Sequence, residues 1–403
     1  TITVVQGDSG VTIDGGNGTG TVTLSGTIAQ LDNLLTGSGT GTITYLNSSD
    51  TPAASATFTV TVNDQGNTGD DPGVSGGVAD EEGTNNVLIN ITDMNDAPVV
   101  GAPVGPLAAT EQVNLAIHGT GFTVSDVDEA GAGSTATLSV TEGTITVVQG
   151  DSGVTIDGGN GTGTVTLSGT IAQLDNLLTG SGTGTITYLN SSDTPAASAT
   201  FTVTVNDQGN TGDDPGVSGG VADEEDSNNV LINITDMNDA PVVGAPAGPL
   251  AATERVNLAI HGTGFTVSDV DEAGAGATAT LSVTEGTITV AEGDSGVTID
   301  GGNGTGTVTL SGTIAQLDNL LTGSGTGTIT YLNSSDTPAA SATFTVTVND
   351  QGNTGDDPGV SGGVADEEGT NNVLINITDM NDAPVVGAPA GPLAATERVN
   401  LAI

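Results

Sequence analysis

A single step organises this chain. Thr1-Ile2-Thr3-Val4 returns as Thr144-Ile145-Thr146-Val147 and again as Thr287-Ile288-Thr289-Val290, so the sequence repeats every 143 residues without drift. A unit of that length can bury a core of its own, unlike the short repeats of solenoids, which need neighbours. The 403 residues therefore read as a little under three copies of one domain, divided at 1–96, 97–239, 240–382 and 383–403. The first copy lacks 47 leading residues (97–143 in the next), and 383–403 supplies 21 of them at the far end. We expect a window cut from a longer array. The copies differ at only a handful of positions, such as Gly83 against Asp226, Val104 against Ala247, Gln112 against Arg255 and Val148 against Ala291.

At each step stands Asp93-Met94-Asn95-Asp96-Ala97-Pro98, repeated at 236–241 and 379–384. Three oxygen-bearing side chains in four residues, closed by a proline that resists helix, suit a metal-binding joint between two domains. The charge balance agrees: 49 acids stand against two basic residues, Arg255 and Arg398, for a net charge of −47. Such a chain cannot neutralise phosphates, which argues against nucleic acid and anionic membranes as partners. Most carboxylates have no internal counter-charge, so those that cluster must stay solvated or hold cations. With no cysteine and two histidines, the donor set favours calcium, a hard ion that takes many oxygens. No apolar run is long enough for a helix to span a bilayer, because 99–109 is broken by Gly and Pro.

Between joints the pattern is that of strands. In the complete copy 97–239, an extended lead-in at 97–109 precedes alternating apolar residues at 113–117, 122–124, 136–140, 144–147, 154–156, 164–167, 185–188, 200–205 and 230–234. Gly-Asp-Ser-Gly and Gly-Gly-Asn-Gly between them are turn chemistry. One segment breaks the rhythm. Thr170-Ile171-Ala172-Gln173 reads as a capping box, Leu174, Leu177 and Leu178 fall at helical spacing, and Gly180 stands where a helix would end. A long acidic loop, 207–229, separates the final two strands; it reads first as a solvated flap and second as an extra calcium site. The isolated His118 and His261 read as surface-loop residues. These features predict an all-β chain of tandem Ig-like β-sandwich domains, each with one short helix. Disorder is the competing reading, given 2% aromatic content and large charge, but the sustained period-2 alternation argues against it.

The order of acidic strand end, Asp-x-Gly after the penultimate strand and Asp-x-Asn-Asp-x-Pro at the exit resembles the calcium-binding pattern of cadherin repeats. More closely, Phe201-Thr202-Val203-Thr204-Val205-Asn206-Asp207-Gln208-Gly209, followed by Thr235-Asp236-Met237-Asn238-Asp239-Ala240-Pro241, resembles the cadherin-like tandem repeats of giant bacterial surface adhesins, of the repeats-in-toxin and biofilm-associated type. The segment 169–178 followed by Ile186-Thr187-Tyr188 is similar to that group as well, and the likeness covers every copy.

Carried over by position, the resemblance implies that the first joint uses Asp93, Asn95 and Asp96 with Asp126, Asp128 and Asp207 of the following domain. The second joint would use Asp236, Asn238 and Asp239 with Asp269, Asp271 and Asp350, and Glu111 from the domain before it. The third would use Asp379, Asn381 and Asp382 with Glu254. Cadherins place an Asp-x-Glu pair before the penultimate strand; here Leu189-Asn190-Ser191-Ser192-Asp193 stands instead, leaving Asp193 as the substitute, with Asp50 and Asp336 in the other copies. Asp126 and Asp128 are two apart on an extended chain, so both carboxylates project to one side.

Enzyme readings fail on inventory. Five Phe and three Tyr build no aromatic-lined cleft, and no nucleophile, base and orienter recur together. The expectation is a secreted, extracellular stalk on a bacterial cell surface, extended by calcium-stiffened repeats and serving cell adhesion or biofilm. Its partners would be calcium ions and neighbouring repeats, with other copies or cell surfaces beyond them. The alternatives are a ligand-binding adhesive module for carbohydrate, ice or a cell surface, and a self-assembling extracellular filament or surface-layer protein.

Overall fold

A computed structural model describes residues 1–66, 82–127, 131, 133–209, 224–271, 274–352 and 367–402. They form two compact units: Thr1–Asn190 with Ser198–Asn233, and Ser191–Ala197 with Ile234–Ile403. Among the described residues each copy carries one helix and its other elements are strands, and the protein is an all-β chain of tandem β-sandwiches.

The last complete copy serves to define the architecture. Its elements are β1 (Val242–Gly244), β2 (Leu250–Thr253), β3 (Leu258–Ala259), β4 (Thr266–Ser268), β5 (Ala277–Val283), β6 (Thr287–Ala291), β7 (Thr298–Gly301), β8 (Thr307–Gly312), α1 (Ile314–Thr322), β9 (Thr328–Leu332), β10 (Ser341–Asn349) and β11 (Glu368–Thr378). One sheet has six strands in the order β2-β11-β10-β5-β8-β7; the facing strands are β3-β9-β6 and β1-β4. All the pairings are antiparallel except β2 with β11, which run parallel from Leu250↔Ile375 to Thr253↔Thr378.

Period-2 alternation places the core. Along β10, Ala342, Phe344, Val346 and Val348 are buried, and they share one cluster with Ile288 and Val290 of β6, Ile329 and Tyr331 of β9, and Val267 of β4. Phe265 meets Phe344 with ring centroids 5.5 Å apart, tilted by 59°. The few aromatics of a complete copy are spent entirely inside: Phe265, Phe344 and Tyr331 are fully buried. Each such side chain contributes about 1.5–3 kcal/mol of transfer free energy, which lets a Thr- and Gly-rich unit hold a core.

The helix obeys its local signals. Thr313 caps α1 through a full capping box with Gln316, and Gly323 ends it at φ 66° in the left-handed region, where a Cβ is disfavoured. Ile314, Leu317, Leu320 and Leu321 are buried. Asp318 ties the helix to β4 by accepting a hydrogen bond from Val267 N at 2.9 Å.

The second copy repeats this plan 143 residues earlier, from Val99–Gly101 to Glu225–Thr235, with the helix at Ile171–Thr179. Three expectations need correction. The lead-in at 97–109 contains two strands, Val99–Gly101 and Leu107–Thr110, because Pro and Gly interrupt but do not prevent edge pairing. The strand expected at 113–117 shrinks to Leu115–Ala116, since Gln112 turns the chain at φ 57° just before it. The acidic segment 225–229 belongs to the strand Glu225–Thr235, paired from Asn206↔Glu225 to Ser198↔Asn233; cross-strand hydrogen bonding to a strong β former overrides its polar composition. The remainder of the expected flap, 210–223, lies outside the described residues.

In the first copy, described as strand pairs Ile2–Val5 with Thr42–Tyr45, Thr12–Gly15 with Thr23–Ser25 and Ser55–Asn63 with Glu82–Asn90, the buried cluster is Val4, Val11 and Leu34. Ile171 and Ile314, which open the helices of the two complete copies, are each 5% exposed. In the second copy the strand Thr123–Ser125 packs against the helix Ile171–Thr179.

Candidate metal centre

The second unit gathers acids from three strand ends at one place. Asp236, Asn238 and Asp239 follow the exit strand of the preceding copy, Asp269 and Asp271 follow β4, and Asp350 follows β10. Asn238 is buried, and its Nδ2 donates to Asp350 Oδ2 at 2.9 Å. Asp271 Oδ2 accepts from Asp239 N at 3.1 Å, and Asp269 Oδ1 accepts from Asp271 N at 3.4 Å. Asp350 is itself fixed: its Oδ1 accepts from Gly352 N at 3.0 Å, while its backbone N–H donates to Glu367 O at 3.1 Å. The turn behind it places Gln351 at φ 68°, secured by its N–H on Asn349 Oδ1 at 2.8 Å.

Electrostatically this cluster is unbalanced. Burial, with the Asp271 carboxyl alongside and the Asp350 charge behind it, pushes the Asp269 carboxyl up to about 7. Asp269 Oδ2 and Asp271 Oδ1 are buried and meet no N–H or hydroxyl donor among the described residues; the only hydrogen bond open to them is a proton shared between the two carboxyls. A buried carboxylate oxygen without a donor costs free energy, and an all-oxygen set of this kind satisfies the coordination preferences of calcium. The residues present therefore fit such an ion. Asp193 belongs to this unit too, where with Asp239, Ala240, Val242, Ser268, Asp269 and Val270 it lines an open cavity of about 370 Å³.

The first unit repeats the core of the arrangement. Asn95 is buried, with Nδ2 donating to Asp207 Oδ2 at 3.0 Å, and Asp207 Oδ1 accepts from Gly209 N at 3.0 Å. Asp93 Oδ1 is buried without a hydrogen-bond partner. Asp96 and Asp126 are half-buried. Asp128 lies outside the described residues. Glu111 is buried, and Gln112 Nε2 donates to its Oε1 at 3.1 Å. Asp50 is exposed.

A second cluster lies at the other end of the last copy. Glu254, Asp336 and Asp382 each bring a carboxylate oxygen within 4.8 Å of the others. Glu254 directly follows β2; its N–H donates to Thr378 O at 3.0 Å and its Oε2 accepts from Met380 N at 3.0 Å. Asp379 and Asn381, expected beside Asp382, are exposed.

Sequence reasoning passed over what shares this cluster. Arg255 stands at φ 58°, with its N–H on Asn333 O at 2.7 Å, and its guanidinium reaches Asp336, Asp382 Oδ1 at 2.6 Å and Glu254 Oε1 at 3.2 Å. The hydrogen bonds it donates to Asp382 and Asp336 push the guanidinium above its ordinary range. The available signal was that both basic residues of the chain occupy the same position after a glutamate, one repeat apart. The histidines also differ from expectation: His118 and His261 are half-buried, and their Nδ1 atoms accept from Ile186 N at 3.1 Å and Ile329 N at 3.0 Å. A backbone N–H in need of an acceptor draws each ring against the sheet.

No helix among the described residues is long and apolar enough to cross a membrane. No protein-family model and no curated protein match the chain. Among solved structures it is similar to extracellular cadherin domains 1–5 of protocadherin gamma B2, at 15% identity over 82% of this chain and 47% of that one, with a TM-score of 0.32. It is similar to domains 3–6 of protocadherin gamma B7 in a cis-dimer structure, at 15% identity over 80% and 57%, TM-score 0.32. It is similar to mouse cadherin-23 domains 22–24, at 15% identity over 94% and 86%, TM-score 0.31. The chain thus spans about half the length of the two protocadherin structures.

Proposed function

We propose that this chain is a structural extender: tandem β-sandwich repeats, divided at 97–239 and 240–382, whose joints bind calcium and thereby stiffen a cell-surface stalk. The observation that carries the reading is the pair of buried carboxylate oxygens, Asp269 Oδ2 and Asp271 Oδ1, which meet no N–H or hydroxyl donor among the described residues, beside Asn238 and Asp350. Asp236, Asn238, Asp239, Asp269, Asp271 and Asp350 would hold an ion at the second joint, and Asp93, Asn95, Asp96, Asp126, Asp128 and Asp207 at the first. The sequence counterparts of Glu254, Asp336 and Asp382 one repeat earlier are Glu111, Asp193 and Asp239, the upstream contribution to the second joint.

The chemistry a bound calcium supplies is neutralisation of carboxylates that otherwise repel. The chain's own residues do the rest: Asn238 orients Asp350, and the Asp239 backbone N–H holds Asp271. Removal of the ion restores the repulsion and loosens the joint. We place the stalk outside a bacterial cell, as part of a large surface adhesin serving adhesion or biofilm, where calcium is plentiful and a net charge of −47 keeps an array soluble. Small-angle scattering of the full chain in millimolar calcium and in chelator tests the reading. The maximum dimension should be larger and better defined in calcium; an unchanged dimension and profile would refute calcium-dependent stiffness.

A further inference from the structure

We propose that Arg255 is a built-in counter-cation: its guanidinium takes the position of a divalent ion among Glu254, Asp336 and Asp382, so that arginine-bearing joints depend less on calcium than the joint carrying Gln112. The inference rests on reading the joint acids as cation sites. The three guanidinium nitrogens divide among three carboxylates, Nε toward Glu254 Oε1 at 3.2 Å, Nη1 to Asp382 Oδ1 at 2.6 Å and Nη2 to Asp336 Oδ1. The same three residues each bring one carboxylate oxygen within 4.8 Å of the others, close enough to share one ion. A planar fork with fixed donors suits that division; a point-charge ammonium would not span it.

The placement is supported from below. Glu254 has a fully buried side chain, so its charge needs a nearby partner, and its second oxygen is already committed to Met380 N at 3.0 Å. Arg255 holds a left-handed φ of 58°, a conformation that costs a β-carbon residue free energy and persists because its N–H is fixed on Asn333 O. Asn333 is in turn held by Glu285, whose Oε1 accepts from Asn333 Nδ2 at 2.9 Å. In the copy before, Gln112 occupies the same turn at φ 57° with its N–H on Asn190 O at 2.7 Å, yet offers Glu111 a neutral amide instead of a charge. Arg255 and Arg398 are the only basic residues of a lysine-free chain, and both stand at this position of the repeat.

The test exchanges the two side chains in the full-length chain. Arg255→Gln should lower the unfolding midpoint in chelator, recover it in millimolar calcium, and gain calcium binding by calorimetry at least about tenfold tighter than the parent shows at that cluster. Gln112→Arg should do the reverse, weakening calcium binding at its joint by about tenfold or more. The inference is overturned if Arg255→Gln takes up no more calcium than the parent, or if its midpoint in chelator is unchanged. Should Arg255→Gln lack the parent circular dichroism spectrum, Gln112→Arg decides alone: undiminished binding rejects the inference. Calcium uptake by the parent, read in the same titration, judges the extender reading separately. A parent that takes up no calcium would sink the extender reading and, with it, the comparison with the Gln112 joint; a parent that binds calcium while Arg255→Gln binds no more would overturn this inference alone.

Discussion

Replacing Asp271 by asparagine should move the stability of the last repeat in opposite directions with and without calcium. Asparagine keeps the shape and an oxygen to accept from Asp239 N, which Asp271 now does at 3.1 Å, but removes one of the charges crowding Asp269. Carboxylates held about 4 Å apart repel by about 1 to 4 kcal/mol, the lower figure applying in water and the upper in a partly buried site. For a domain of this size about 1 kcal/mol corresponds to roughly 3 °C in the melting midpoint, so in chelator Asp271→Asn should raise the midpoint by about 3 to 12 °C. In calcium the sign turns, because a ligand is lost. Extracellular sites bind with dissociation constants of about 0.1 to 1 mM, so 1 mM calcium contributes about 0.4 to 1.4 kcal/mol per ion, a gain that the variant forfeits.

The linkage to protons gives the same prediction a second axis. Asp269 sits at about 7 in the folded, metal-free chain against an ordinary 3.8, so the fold binds its proton more tightly than the unfolded chain does. That contribution is fully present below about pH 4 and lost as pH rises through about 7. Asp271→Asn removes the neighbouring carboxyl that helps raise Asp269 and should flatten the decline. Calorimetric melts of both proteins between pH 4 and 8, in chelator and in calcium, provide the measurement. A lowered midpoint for the variant in chelator at pH 8, or an undiminished calcium gain, would refute the reasoning.

Two other outcomes are expected. Calcium binding should release protons: with the Asp269 carboxyl pushed up to about 7, proton release per ion at that site should be larger at pH 6 than at pH 8 when calorimetry is run in two buffers of different ionisation enthalpy. Phe344→Ala should cost about 3–5 kcal/mol because the ring is fully buried against Phe265. Phe201→Ala in the preceding copy, where the ring packs on Phe122 at 5.6 Å, should cost about as much in urea titrations.

Fold class and local elements were legible because their causes lie within a few residues. Thr313 with Gln316 and Gly323 set both ends of α1 through short-range hydrogen bonds and a left-handed backbone. Alternation in Ser341–Asn349 marks which side chains can be inward, since successive side chains on a strand point to opposite faces. The joint acids were legible as well, since Asp236, Asn238 and Asp239 lie together in sequence. Less legible was the strand Glu225–Thr235, whose polar beginning is recruited by pairing with Ser198–Asn206.

Tertiary structure alone decided which of these residues meet. Asn238 finds Asp350 across 112 positions, and Asp269 comes under the charge of Asp350 only because β4 and β10 end at the same edge of the sandwich. Arg255 reaches Asp336 and Asp382 across 81 and 127 positions, a partnership that no local pattern encodes. The two complete copies make the division plain. Ile171 and Ile314 have the same neighbours in sequence and both fall to 5% exposure inside their sandwiches. Local sequence determines that each begins a helix; burial depends on strands supplied from far along the chain, because hydrophobic free energy follows the area that distant partners remove from water.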